Sequence, residues 1–139
     1  MKKVDGWNEA LNALLLASLG KPFAWGQHDC KTLAAEALDV QYGTDFRARA
    51  AEAYAGHGET ELRALCADSG GIDKVVEDWL GTNVLPINLC ERGDIVLYAD
   101  DDGKPYGLAV HDGQQLVAPG TDGLRRVNMT RGLHGWRPV

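Results

Sequence analysis

The hydrophobic pattern of the chain changes once, near Thr82 to Pro86. Before this boundary, apolar residues recur at three- and four-residue spacing, which is typical of amphipathic helices. After it, short runs of β-branched and aromatic residues are separated by turns that contain glycine and aspartate, which is typical of strands. Helices that precede strands, rather than alternate with them, predict an α+β fold.

Five helices are predicted in the N-terminal part. Asp5 is expected to cap the first helix, and Gly20 and Pro22 to end it, because these residue types are preferred at those positions. The second helix is rich in alanine and should begin at Asp29 or Cys30. The predicted helices cover residues 5–19, 29–43, 45–54, 59–67 and 72–80.

The C-terminal part is predicted to form a small antiparallel sheet of about five strands. Asp112-Gly113 suits the two positive-φ positions of a type I′ turn, so the runs on either side should form a two-residue hairpin. The predicted strands cover residues 95–98, 106–111, 114–118, 124–127 and 133–137. The 139 residues are expected to form one domain, with a helical part over 1–82 and a sheet part over 87–139.

Charge and hydropathy exclude several classes of function. The net charge is −6, so nucleic acid, whose binding requires a basic face, is not a predicted partner. The longest apolar run, residues 10–19, is too short and too polar to span a membrane. Asp5, Asn8 and Glu9 interrupt the stretch where a signal peptide needs apolar residues, so no signal peptide is predicted.

The three cysteines do not form a recognisable framework. Cys30, Cys66 and Cys90 are odd in number and contain no CxxC pair, so neither a disulfide scaffold nor a zinc site is predicted. The acidic run 100–103 lacks the alternating oxygen ligands of a calcium loop and is expected to be a solvated turn. The sequence therefore predicts no metal and no cofactor.

Cys30 is the candidate nucleophile because it stands where a helix should begin. The positive end of the helix dipole and the unpaired backbone amides of a first turn both stabilise a thiolate, which is the reactive form of cysteine. A second interpretation, a small buried apolar residue, stays open. Cys66 is expected to pack within a helix, and Cys90 to precede a turn.

A cysteine hydrolase also needs a base within hydrogen-bond reach of the thiol. His28 and His111 are the candidate bases. His28 lies two residues before the thiol and is expected to bind backbone or face solvent, whereas His111 ends a strand and is expected to be exposed. The pattern around His57 indicates a loop, and that around His134 indicates packing.

Four short motifs follow one another along the chain. They are Phe23-Ala24-Trp25-Gly26, then Asp29-Cys30 at the head of the alanine-rich helix, then Gly93-Asp94-Ile95-Val96-Leu97-Tyr98, and last Gly107-Leu108-Ala109-Val110 before a hairpin. Together they resemble the NlpC-type cysteine peptidases, compact relatives of papain that cleave cell-wall peptides. The resemblance covers Trp7 to Arg137 and implies a papain-like arrangement, with Cys30 at the start of a helix that packs on the sheet.

The resemblance implies that Cys30 matches the nucleophile, but three supporting groups of the family are replaced. The catalytic histidine falls on Pro105, whose side chain cannot take a proton. The polar residue that orients the histidine falls near Val117 or Ala118, both apolar, and the tyrosine near the oxyanion site falls on Phe23. The pocket that the resemblance implies would be lined by Phe23, Trp25, Asp29, Pro105 and Tyr106.

The run Trp25-Gly26-Gln27-His28-Asp29-Cys30 and the pair Trp136-Arg137 resemble small NlpC-like proteins encoded among tail-tip genes of long-tailed phages and gene transfer particles. This resemblance implies a virion component of the tail tip, assembled in the host cytoplasm, whose partners are other tail-tip proteins and peptidoglycan peptides. The leading interpretation is a tail-tip or tail-assembly protein with a catalytically weak or inactive peptidase site. Two alternatives are an active cysteine peptidase or amidase that cuts peptidoglycan peptides as a phage enters its host, and an unrelated housekeeping domain.

Overall fold

A computed structural model of the chain describes residues 1–53, 55–56, 58–61, 72–81 and 83–139. Within them lie four helices, α1 (Trp7–Ser18), α2 (Cys30–Tyr42), α3 (Phe46–Ala53) and α4 (Ile72–Leu80). The strands are β1 (Val84–Pro86), β2 (Ile95–Ala99), β3 (Pro105–His111), β4 (Leu116–Gly120), β5 (Gly123–Val127) and β6 (Gly132–Trp136). The helix predicted over 59–67 falls largely outside the described residues, as do Cys66 and His57.

The strands form one antiparallel sheet in the order β1-β6-β2-β3-β4-β5. The predicted α+β fold is therefore confirmed. The sheet has six strands rather than about five, because β1 pairs with β6 just before the predicted start of the sheet part. None of the described helices is long and apolar enough to cross a membrane.

Alternate residues of the strands pack on opposite faces of the sheet, as the period of two requires. The larger core lies between the helices and one face, and the smaller core lies on the other face. The strand residues of the larger core are Ile95, Leu97, Leu108, Val110, Val117 and Trp136. The smaller core contains Val96, Tyr98, Ala109, Leu116, Ala118 and Val127.

The predicted cap of α1 is wrong. Asp5 lies in a turn, and Gly6 precedes the helix in the left-handed conformation, with φ of 76° and no side-chain cap. The entering chain is instead held by a backbone hydrogen bond from the Val4 amide to the Gln41 carbonyl, 2.8 Å long. The tertiary contact with α2 therefore sets the start of α1, and a local sequence signal could not predict it.

The hairpin between β3 and β4 differs from the predicted two-residue turn. His111 pairs with Leu116, so the loop has four residues, and only Gly113 within it has a positive φ. The Asp112 carboxylate accepts hydrogen bonds from the amides of Gln114 and Gln115, at 2.8 and 2.7 Å. These side-chain hydrogen bonds satisfy the amides of the four-residue loop. A two-residue type I′ turn would not need them.

The junction before β2 ties three distant parts of the chain together. Gln41 of α2 donates a hydrogen bond from Nε2 to the Gly93 carbonyl, 2.8 Å long. Arg137 donates two hydrogen bonds to the buried Asp94 carboxylate, from Nε at 2.9 Å and from a terminal nitrogen at 2.7 Å. The same carboxylate accepts from the Glu91 amide at 2.7 Å. This junction fixes β2 against α2 and the C-terminus.

Candidate functional site

The start of α2 is held by a reciprocal pair of hydrogen bonds. The Thr32 amide donates to Asp29 Oδ1 at 2.9 Å, and the Asp29 amide donates to Thr32 Oγ1 at 2.8 Å. The second carboxylate oxygen of Asp29 accepts from the Gly26 amide at 2.8 Å. This capping box fixes Cys30 as the first residue of a helix of 13 residues.

The Cys30 thiol faces β3 at Gly107. A methyl group placed on Gly107 would lie 3.8 Å from Cys30 Sγ and 3.7 Å from the Tyr98 hydroxyl. The absence of a side chain at Gly107 therefore leaves a gap between the thiol and the tyrosine. Cys30, Gly107 and Tyr98 form the group that we call the thiol site.

Tyr98 is buried, and burial, opposed by the Arg125 guanidinium and aided by the negative charge that Cys30 would carry, raises the pKa of its phenol to about 12. The phenol is therefore protonated at neutral pH. It can donate a hydrogen bond to a thiolate or an oxyanion, but it cannot act as a general base. Its ring lies beside Tyr106, and the Arg125 guanidinium lies over both rings.

Pro105, which matches the family's catalytic histidine, brings no basic group to the thiol site. Pro105 is exposed and pairs with Ala99, whereas Gly107 pairs with Tyr98, so Tyr106 is an extra residue between the two pairs. This β-bulge turns the Tyr106 side chain into solvent. The base that the resemblance requires is thus replaced by Pro105, whose side chain has no proton acceptor.

His111, the first candidate base, is buried rather than exposed as expected. Its Nδ1 accepts a hydrogen bond from the Gly113 amide at 3.0 Å, and burial lowers the pKa of the imidazole. It lies four positions along β3 from Gly107, which is about 13 Å in an extended strand. The structure therefore places His111 at the end of β3 beside the β3–β4 turn, away from the thiol site.

His28, the second candidate base, is also buried rather than solvent-facing. Its backbone amide donates to the Ala24 carbonyl at 2.7 Å, and its carbonyl accepts from the Ala24 amide at 2.9 Å. His28 therefore binds backbone, as one of the two expectations had it. Burial lowers the pKa of the imidazole, and Nε2 has no hydrogen-bond partner among the described residues. The backbone contacts of His28 with Ala24 hold the loop before α2.

The residues predicted to line a pocket differ in burial and in their contacts. Asp29 is fully buried in the capping box, so its carboxylate does not face a ligand. Phe23 and Trp25 are half-buried and make an edge-to-face contact with ring centroids 4.9 Å apart. Pro105 and Tyr106 are exposed on the bulged end of β3.

The second described thiol is unsuited to nucleophilic chemistry. Burial and the nearby Asp94 carboxylate raise the pKa of Cys90 to about 11, so its sulfur stays protonated at neutral pH. Among the described residues, no three histidine, cysteine or acidic side chains are grouped so that they could hold a metal ion.

Comparison with known proteins places the chain in a family. The model of one family matches residues 2–138, which is nearly the whole chain. The chain belongs to DUF6950. This family is described as a domain of unknown function. No curated protein matches the chain.

A solved structure similar to this DUF6950 chain is the NlpC/p60 domain of the peptidoglycan hydrolase SagA. The two chains share 14% sequence identity, and the match covers 94% of this chain and 97% of that domain with a TM-score of 0.53. The likeness shows that the fold is NlpC/p60-like. The predicted NlpC-like arrangement, with a cysteine at a helix start packed against an antiparallel sheet, is confirmed.

Sequence reasoning missed Tyr98 and Gly107 as neighbours of the thiol. The solvated turn predicted over 100–103 does not indicate the bulge at Tyr106, which shifts the register of β2 and β3 by one residue and sets Gly107 opposite Tyr98. The thiol site therefore required the structure.

Proposed function

We propose that this chain is a phage tail-tip or tail-assembly protein in which an NlpC/p60-like peptidase site is catalytically weak or inactive. The observation that carries the proposal is the composition of β3 beside the thiol. The β3 residue beside the thiol is Gly107, and the position that matches the family's histidine is Pro105; neither supplies a proton acceptor. The Cys30 thiol keeps its place at the start of α2.

The expected loss of activity follows from the role of a base. General-base assistance typically contributes about 10² to 10⁴ in rate, and an oxyanion donor a further 10² to 10³. Tyr98 cannot replace the base, because a phenol with a pKa of about 12 does not accept a proton at neutral pH. Phe23, which stands at the family's tyrosine position, has no hydroxyl to donate.

The tail role is supported by the two sequence features that resemble tail-tip proteins. In the structure, Asp29 of the first feature caps α2, and Arg137 of the second binds Asp94. Both features therefore stabilise the fold rather than supply reacting groups. A retained scaffold with a replaced base fits a protein whose task is assembly, with other tail-tip proteins as partners, in the virion after assembly in the host cytoplasm.

Substitution of the thiol should leave assembly unchanged. We expect the chain to be present in purified tail particles by mass spectrometry, and particles assembled with Cys30→Ala to form in equal yield with equal infectivity. Cys30 packs at the edge of the core, so loss of its sulfur creates only a small cavity. Failure of the folded Cys30→Ala protein to support assembly or infection, or absence of the chain from particles, would contradict the proposal.

An active cysteine peptidase or amidase remains a second candidate, favoured by one observation. The Tyr98 hydroxyl beside Cys30 is a protonated donor that could stabilise an oxyanion. This candidate requires Cys30 as the nucleophile. A test for cleavage of peptidoglycan peptides therefore distinguishes the active enzyme from the weak or inactive tail protein.

A further inference from the structure

A cleft of about 150 Å³ lies between α1 and the β4–β5 hairpin, on the helix-facing side of the sheet. Cys30 is not part of its lining. The floor is apolar and includes Leu15, Val117 and Leu124. An apolar cavity of this volume can hold one benzene-sized group, such as a leucine or phenylalanine side chain.

Two apolar side chains at the end of α1 extend this surface into solvent. Leu16 is 59% exposed and Leu19 is 50% exposed, and both line the cleft. Single exposed leucines are common, but two beside an unfilled apolar cleft form a contiguous patch. The cleft therefore suits an apolar side chain that arrives from outside the molecule.

The rim of the cleft is positively charged, although the chain as a whole carries −6. Arg126 pairs with Val117 across β5 and β4, so its side chain stands on the cleft side. Arg92 is held at the rim by hydrogen bonds to the Asn8 side chain and the Asp112 carbonyl.

One carboxylate, that of Asp112, also lines the cleft, but its charge is balanced. Its Oδ1 accepts two loop amides, and its Oδ2 pairs with Arg126 at 3.1 Å. The lining thus has two guanidinium groups against one carboxylate. A net positive rim around an apolar floor is complementary to an apolar side chain that is accompanied by a carboxylate.

We propose that this cleft binds a segment of a partner protein in which an apolar side chain, seated on the leucine floor, is next to an acidic residue that pairs with Arg126 and Arg92. The proposal concerns a surface separate from the thiol site and does not depend on the tail role. The Arg126 side chain is 64% exposed and binds Asp112 through one terminal nitrogen, so its other terminal nitrogen can bind an incoming carboxylate while the pair with Asp112 is kept.

The probe is an acetylated, amidated hexapeptide with the sequence Ser-Gly-Leu-Glu-Gly-Ser, titrated into the ¹⁵N-labelled full chain and followed by NMR. We expect shifts confined to the amides of 12–19, 92, 112–117 and 124–126, with a Kd in the high micromolar to millimolar range for so small a ligand. Peptides with glutamine in place of glutamate, or alanine in place of leucine, should each bind at least about fivefold more weakly.

The matched protein variants are Arg126→Gln and Arg125→Gln. Arg125 is the neighbour of Arg126 on β5, but its guanidinium lies over Tyr98 and Tyr106 on the other face. Arg126→Gln should weaken peptide binding by about fivefold, whereas Arg125→Gln should leave it unchanged. The proposal would be overturned by an absence of shifts at the cleft or by equal binding of the glutamate and glutamine peptides. It would also be overturned if sedimentation showed that a second copy of the chain occupies the cleft.

Discussion

Replacement of Arg137 by methionine should lower the free energy of unfolding by about 3 kcal/mol, because it leaves a buried carboxylate without its counterion. Asp94 is only 2% exposed, and both of its oxygens accept hydrogen bonds from the guanidinium. Methionine keeps much of the aliphatic stem but supplies no donor. Urea denaturation at neutral pH, followed by circular dichroism, measures the loss.

A surface pair provides the control for this prediction. Arg131 pairs with Asp101, whose side chain is 84% exposed, so Arg131→Met should cost less than about 1 kcal/mol. Equal losses for Arg137→Met and Arg131→Met would show that the Asp94 pair does not anchor the C-terminus. The double variant Asp94→Asn, Arg137→Met should recover part of the loss, because it removes the buried charge.

Replacement of Gly93 by alanine should lower the free energy of unfolding by about 3 kcal/mol, from backbone strain and steric overlap together. Gly93 has a φ of 96°, which alanine adopts only with strain. A Cβ at this position would overlap Gln41 Oε1 and lie 2.7 Å from Gln41 Cδ. Gln41 is fully buried and hydrogen-bonded to the Ala37 and Gly93 carbonyls, so it cannot move aside.

Gly103 separates the two causes of this loss. Its φ is 78°, but a Cβ there would have no atom within 4 Å. Gly103→Ala should therefore show the backbone strain alone, about 1 kcal/mol. Thermal and urea unfolding of the two variants should differ clearly in stability. A loss for Gly93→Ala no greater than that for Gly103→Ala would mean that the junction before β2 tolerates a side chain.

Local signals in the sequence were sufficient for the elements that position Cys30. Asp29 indicates the start of α2, Gly43 indicates its end, and the unbroken run of β-branched and aromatic residues in β2 shows in the residues themselves. Features that depend on distant contacts were not predictable. Asp94 and Arg137 are 43 residues apart in sequence, and nothing local to either indicates the other.

Burial of the two candidate bases was also beyond local reasoning. His111 stands beside a polar turn, which is typical of exposure, but the four-residue loop folds back and its Gly113 amide binds the imidazole. The predicted cap of α1 was wrong for a similar reason, because the start of that helix depends on the contact between Val4 and Gln41. The resemblance to NlpC-type peptidases supplied the overall arrangement, and the structure supplied Tyr98 and Gly107.

The proposed function requires that the thiol site works weakly or not at all as a peptidase. The direct measurement is incubation of purified peptidoglycan peptides with the wild-type chain and with Cys30→Ala, followed by chromatography and mass spectrometry of the products. The NlpC/p60 domain of SagA serves as the positive control. We predict that the wild-type chain and Cys30→Ala give the same products as buffer over the time in which the SagA domain cuts its substrate, whereas cleavage by the wild-type chain at a rate near that of the SagA domain, lost in Cys30→Ala, would contradict the proposed function.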